Sequence, residues 1–204
     1  GFSIIGGSAD VMKPKDCERI VEKTIVSYGK IDILVNNAGG VRGGLNFLDT
    51  TDQDWLGSLD LNLMSAVRLS RLVLPGMKER KWGRIINISS IWGREYGGVP
   101  TYMVSKAGLI AFSNSLAREV ASHGVLVNCI APGSIKFPGG AWERFEKTKS
   151  PELVHDFIKQ QFPMGQFGWP EPVGDIVAFL ASDKADLVTG TTMTVDGGQS
   201  RSLI

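Results

Sequence analysis

Short apolar runs alternate along the chain with longer segments in which apolar positions recur every third or fourth residue, and this alternation sets the predicted elements. Ile31 to Val35, Arg84 to Ile88, Val125 to Ile130 and Thr191 to Val195 read as strands, and Ser3 to Val11 should contain a further one at the start. Between Val11 and Ile31, Cys17, Ile20, Val21, Thr24, Ile25 and Tyr28 share a helical face, with Pro14 suited to the first turn and Gly29 to the stop. A long helix is expected from about Thr51 to Arg80, bent or broken near its end by Pro75. Others are expected over Thr101 to Ala121 and Pro172 to Ser182, while Pro132 to Trp169 reads as irregular. Strands alternating with helices imply an α/β fold, a parallel sheet covered on both faces. No repeat, low-complexity tract or linker divides it, so residues 1–204 are read as one domain.

Composition narrows the partners. A net charge of +1 with both signs scattered gives no reason to expect nucleic acid or an anionic membrane surface, and 43% hydrophobic residues can fill a core. No apolar stretch approaches the ~20 residues needed to cross a bilayer, and the first residues lack the regions of a secretion signal, so a cytoplasmic location is expected. Cys17 and Cys129 are isolated in sequence, which implies neither a disulfide framework nor a metal site.

The candidate chemistry lies between residues 89 and 106. On a helix, Tyr102 and Lys106 stack on one face and bring an ammonium beside a phenol. A free phenol has a pKa of roughly 10, and a fixed cation nearby favours phenolate, which would let Tyr102 exchange a proton near neutrality. Upstream, the pair Ser89 and Ser90 offers a hydroxyl for the reacting oxygen, and strand alternation lets only one of the two face the site. Taken alone, the pair also fits an ordinary helix surface.

Its surroundings extend the pattern. Asn36-Asn37-Ala38-Gly39 follows the Ile31 run, Ser89-Ser90-Ile91-Trp92-Gly93 precedes the tyrosine, and Asn128 with Ala131-Pro132-Gly133 follows it. In this order the motifs resemble the short-chain dehydrogenase/reductase family of the classical type, over nearly the whole chain. The resemblance implies a Rossmann-like doubly wound parallel sheet in three α/β/α layers, and hydride transfer between NAD or NADP and a carbonyl or alcohol carbon. It implies Tyr102 as proton donor and acceptor, with Lys106 keeping the phenol acidic and bonding the nicotinamide ribose. Ser90 would fix the substrate oxygen, although the commonest spacing to the tyrosine selects Ser89 instead. Asn62 matches the family's fourth catalytic residue, which holds a water for proton relay. Asn36, Ala38 and Gly39 would line the ribose and nicotinamide side, Asp10 and Val11 the adenine, and Pro132, Gly133 and Ile135 the nicotinamide, whose carboxamide Ile135 would bond through its main chain.

Departures matter as well. A threonine usually follows four residues after that glycine, but Phe137 stands there, so the carboxamide would rely on Ser134 or on backbone alone. The run Gly39-Gly40-Val41-Arg42-Gly43-Gly44 does not fit G-x-G-x-x-G and does not lead at once into a helix, so it reads as a loop rather than a phosphate cradle. The family's opening strand, glycine-rich turn and helix do not occur before Asn36, so the sheet is expected to lack its first two strands in this chain. A fragment of a chain of about 250 residues, or the loss of roughly 50 N-terminal residues, is the expectation that follows, and the residue that separates NAD from NADP is unreadable.

Residues 137–170 form the expected substrate lid. Phe137, Trp142, Phe145, Phe162, Met164, Phe167 and Trp169, with Trp92 and Tyr96 facing them, would suit an apolar or ring-bearing carbonyl or alcohol substrate, or would simply pack the lid onto the core. Small Ala107, Gly108, Ala111 and Ser115 offer a close-packing helix face that resembles the family's interface in a homodimer or homotetramer. A non-catalytic binding or scaffold protein with the same fold is the competing reading.

Overall fold

The computed structural model describes residues 3–203. Four parallel strands, β1 (Ile33–Asn36), β2 (Gly83–Ile88), β3 (Val125–Pro132) and β4 (Thr192–Val195), form one sheet in the order β1-β2-β3-β4. Seven α-helices accompany them among the described residues: α1 (Pro14–Tyr28), α2 (Asp52–Leu59), α3 (Ser65–Arg80), α4 (Pro100–Val120), α5 (Ala141–Thr148), α6 (Pro151–Gln161) and α7 (Pro170–Ala181).

Successive residues of the central strands feed opposite cores, which is why these runs are apolar throughout rather than alternating. Ile85 of β2 joins Cys17 and Val21 of α1, Leu69, Val73 and Met77 of α3, and Ala117 and Val120 of α4. Its neighbour Ile86 points the other way, into a second core with Ile130 of β3 and Leu180 of α7. The sheet therefore lies between α1, α3 and α4 on one face and α7 on the other, the three-layer Rossmann-like arrangement. At its foot, Arg84, 2% exposed, ion-pairs with Asp186 and stacks over Trp82 at 4.2 Å, joining β2 to the segment before β4.

Three expectations need correction. Ser3 to Val11 forms no strand. Among the described residues no strand lies on the outer side of β1 to pair with it, and the carbonyls of Ser3, Gly6 and Ser8 accept instead from Tyr28, Lys23 and Arg19 of α1. Pro75 does not break its helix, and α3 runs through it to Arg80. The irregularity in the long helix comes earlier, at a π-helical turn, Asp60–Met64, between α2 and α3. The stretch expected to be irregular holds two helices, α5 and α6. Their apolar residues follow helical spacing, Ser150 caps α6 by accepting the Leu153 amide, and Pro151 occupies its first turn.

Candidate active site

Helix α4 begins at Pro100, whose fixed φ suits a first turn, and carries Tyr102 and Lys106 one turn apart. The Lys106 ammonium sits 5.6 Å from the centre of the Tyr102 ring and donates to the Ile88 carbonyl at the end of β2, at 2.7 Å. Lys106 is 3% exposed. Burial disfavours its charged form and draws its pKa down from 10.5 to about 8. The phenol behaves contrary to expectation. Burial raises the Tyr102 pKa, and the only counteracting influence is a hydrogen-bonding interaction with Ser90. The lysine faces the ring and a carbonyl, so proximity along the helix does not acidify this phenol.

The serine pair separates cleanly. Ser89 donates to the Lys106 carbonyl at 2.9 Å, and its amide bonds the Ile130 carbonyl, so it pins the end of β2 to α4 and to β3. Ser90 turns the other way, accepts the Trp92 amide at 3.2 Å, and faces the phenol. Alternation along an extended backbone thus leaves Ser90 as the hydroxyl beside Tyr102.

Asn62 lies on the π-helical turn and is 1% exposed. Its oxygen accepts from the Gly40 amide at 2.9 Å, and its nitrogen donates to the Gly40 and Ser58 carbonyls, each at 3.0 Å. The side chain is therefore satisfied within the protein and holds the loop after β1. Ser58 extends the tie to α4 by donating to the Thr101 carbonyl at 3.0 Å. Gly39 sits where the groups converge. A Cβ there would fall 2.8 Å from the Asn62 oxygen and 3.1 Å from the Lys106 nitrogen, so the bare backbone is what lets that loop pass the lysine.

Asn36, at the end of β1, donates to Asn87 at 2.7 Å, and Asn87 donates to Ser113 at 2.8 Å, a buried polar line crossing the sheet into α4. The Asn36 oxygen is buried without a partner. Ala38 is exposed at the mouth of the same loop. Pro132 ends β3, and Ile135 forms a bridge to Gly168 in which the Gly168 amide bonds the Ser134 carbonyl and the Lys136 amide bonds the Gly168 carbonyl. That pattern turns the amide and carbonyl of Ile135 itself away from the bridge. Ser134, the residue that would stand in for the missing threonine, is tied to Gln199: its hydroxyl accepts from Gln199 at 3.0 Å and its amide donates to Gln199 at 2.7 Å.

Asp10 and Val11 are not gathered with the others. They form the turn before α1: the Asp10 amide donates to Asp16 at 2.7 Å, and the Val11 carbonyl accepts from Cys17 and Arg68. Between the ends of β1, β2 and β3 lies an apolar cleft of about 550 Å³, lined by Val35, Ile88, Pro132, Ile135, Phe137 and Val177 among others.

The lid aromatics mostly meet one another. Trp142 and Phe145 of α5, Phe157 of α6, and Phe162 and Phe167 beyond it pack with ring centres 4.9 to 6.5 Å apart. Trp92 folds over Gly97 and Gly98 of its own loop, and Tyr96 is 91% exposed, so neither joins that cluster. Sequence reasoning passed over Phe157, Asn87, Ser58 and Gln199. Phe157 stands at helical spacing from Leu153 and Val154, a signal available in the chain, whereas the other three are ordinary polar residues until the fold makes them neighbours.

Comparison with known proteins identifies the family. Residues 3–200 match the family model described as enoyl-(acyl carrier protein) reductase. The 3-oxoacyl-[acyl-carrier-protein] reductase FabG of Escherichia coli K12 is 42% identical over 193 residues, spanning 93% of this chain and 75% of that protein. Its namesake from Thermotoga maritima is 37% identical over 183 residues, 89% of this chain and 71% of that one. A crystal structure described as a short-chain dehydrogenase/reductase from Burkholderia xenovorans superposes with a TM-score of 0.90 at 32% identity, covering 99% of this chain and 77% of its own. Likeness at this level, running through the motifs around Tyr102 and through all four strands, makes the chain an oxidoreductase belonging to the classical short-chain dehydrogenase/reductase family.

Proposed function

We propose that the protein interconverts a carbonyl and a secondary alcohol with NAD or NADP, using Tyr102 as general acid and base. The observation that carries this reading is the placement of the half-buried Tyr102 beside a hydroxyl, Ser90, and an ammonium, Lys106, next to the loop after β1. The residues present suit the nicotinamide half of such a cofactor. Gly39 leaves open backbone beside Lys106, the Asn36 oxygen is buried and unpaired, and the Ile135 amide and carbonyl face away from their bridge. When bound, the cofactor supplies or accepts the hydride.

The protein's own groups handle the proton and the geometry. Ser90 donates to the substrate oxygen and holds it against Tyr102, a positioning effect of the kind that lowers barriers substantially. Tyr102, kept protonated by burial, gives its proton to that oxygen during reduction. Lys106 bonds the ribose hydroxyls with its free donors while Ile88 fixes its direction. Asn62 holds the Gly39 to Gly40 peptide beside the lysine. Ala38 lines the ribose side, and Pro132, Gly133 and Ile135 line the nicotinamide. Asp10 and Val11 would take the adenine from a separate position at the start of α1. Residues 137–170 close over the substrate as a lid. Ala107, Ala111 and Ser115, exposed along α4, suit helix packing in a homodimer or homotetramer.

The names of the relatives suggest a 3-oxoacyl thioester as the first substrate to try. Nicotinamide absorbance followed with such a thioester, and with NADH and NADPH separately, should show oxidation of one cofactor that Tyr102→Phe abolishes. Undiminished turnover by Tyr102→Phe would remove the proton donor and the mechanism with it.

A further inference from the structure

The segment after β4 turns back sharply and inserts one polar side chain under the cofactor-facing turn. Asp196 builds the return, accepting the Gly198 amide at 2.9 Å and the Ser200 amide at 2.6 Å through its carboxylate. The Gln199 amide closes on the Asp196 carbonyl at 3.2 Å, and the Gln199 side chain, 8% exposed, enters the space beside Gly133. There it engages Ser134 twice, accepting from its amide and donating to its hydroxyl. Two residues on, the Arg201 amide donates to Glu95 at 2.8 Å, and Glu95 closes the short turn that follows Ser90, its amide bonding the Ile91 carbonyl.

We propose that Gln199 is a positioning residue for the nicotinamide end of the site, fixing the Gly133 to Ser134 peptide from which the bridged Ile135 main chain continues, and so deepening the functional reading above, on which it rests. Gly168 holds both peptides that flank Ile135, and Gln199 holds the peptide just before them, between Gly133 and Ser134. With the Ser134 amide released, the Pro132 to Ile135 turn samples other orientations, and apparent affinity falls by the fraction that still presents the Ile135 groups correctly. The same segment reaches Glu95, so one short return braces the nicotinamide turn and the loop after the reacting serine together. Where the family's usual threonine is replaced by Phe137, this brace carries the ordering of the turn.

The test uses the intact protein with NADH, NADPH and ADP-ribose, which shares the adenosine diphosphate half but lacks the nicotinamide. Gln199→Met keeps the volume and removes both contacts, and should weaken the preferred nicotinamide cofactor about tenfold by leaving a buried amide unpaired, with ADP-ribose affinity unchanged. Ser134→Ala removes only the hydroxyl contact and should have a smaller effect in the same direction. Equal weakening of ADP-ribose and cofactor in Gln199→Met would mean a general structural role and overturn the proposal, as would unaltered cofactor affinity. Failure of the unsubstituted protein to bind either cofactor would instead overturn the functional reading, and the inference with it.

Discussion

The Lys106 ammonium lies over the face of the Tyr102 ring and gives its short hydrogen bond to the Ile88 carbonyl, so lysine and phenol are neighbours without the cation sitting at the phenol oxygen. Two groups brought into the site by one helical turn are both held toward their neutral forms by burial, the tyrosine upward and the lysine down to about 8. The fold thus sacrifices stability to keep an amine in an almost solvent-free position.

That cost has a pH signature. A lysine whose folded pKa lies below its unfolded value of 10.5 binds fewer protons in the folded state between the two, so its contribution to stability improves as pH rises from about 8 toward 10.5. Below that window the charged form is buried at a cost on the order of 3 kcal/mol. Lys106→Met should therefore melt higher than the unsubstituted protein at pH 7, and the gap should narrow as pH approaches 10, while cofactor oxidation is lost. Thermal melts of both proteins across pH 7 to 10 measure the gap. A constant difference over that range would show that lysine titration does not contribute.

Ser89 and Ser90 should separate by consequence as they separate by direction. Ser89→Ala removes a buried bond to the Lys106 carbonyl and should cost roughly 1 kcal/mol of stability, leaving kcat within a few-fold. Ser90→Ala leaves the melting temperature nearly unchanged and should lower kcat by about 10²-fold, as the loss of one oxygen-stabilising donor does elsewhere. Paired melting curves and steady-state kinetics decide, and a reversed pattern would transfer the role to Ser89.

Asn62 and Gly39 form one device seen from two sides. Asn62→Ala releases both the amide and the carbonyl of Gly40 and empties part of the π-helical turn, so a loss of about 2–3 kcal/mol is expected. Gly39→Ala places its methyl between the Asn62 oxygen and the Lys106 nitrogen. It should weaken cofactor binding sharply while the melting temperature moves little, because the exposed loop can shift outward but Lys106 is fixed by Ile88. Cofactor fluorescence titration alongside melting curves distinguishes the two effects.

Much of this was legible in the chain, for identifiable reasons. Cys17, Val21 and Tyr28 carry a helical period that needs no tertiary information, and the run ending at Ile88 is apolar because both faces of its strand are covered, whereas in the run ending at Asn36 Leu34 packs on the core and Ile33 and Val35 are exposed. The local motif around Ser90, Tyr102 and Lys106 survives as a constellation because one strand end and one helix suffice to build it. What failed was what neighbours decide. Ser3 to Val11 has strand composition but no strand beside it, so its carbonyls turn to α1. The direction of the Lys106 ammonium depends on Ile88, eighteen residues away, and the Tyr102 pKa therefore moved opposite to what helical spacing implied. Gln199 meets Ser134 across sixty-five positions, which no local pattern reveals.

Phe157 offers the last test, because its ring is stacked on Trp142 and meets Phe145, Phe162 and Phe167, joining α5, α6 and the segment before Gly168, which bridges to Ile135. The two lid helices contribute no residues to either sheet core, so this ring cluster is what gives them a core of their own. Removing the half-buried ring should cost about 2 kcal/mol locally, less than for a fully buried one, and a separately stabilised segment would open without unfolding the sheet. In Phe157→Ala, hydrogen exchange should accelerate over residues 141–161 while protection of β2 and β3 is retained. Trp142 fluorescence should shift toward that of a solvated indole at temperatures where the sheet remains folded. If residues 137–170 close over the substrate as proposed, KM for the carbonyl substrate rises while affinity for the cofactor, held by the strand ends, stays the same. Simultaneous loss of protection in β2, β3 and the lid helices would show a single cooperative unit and refute the separate lid core.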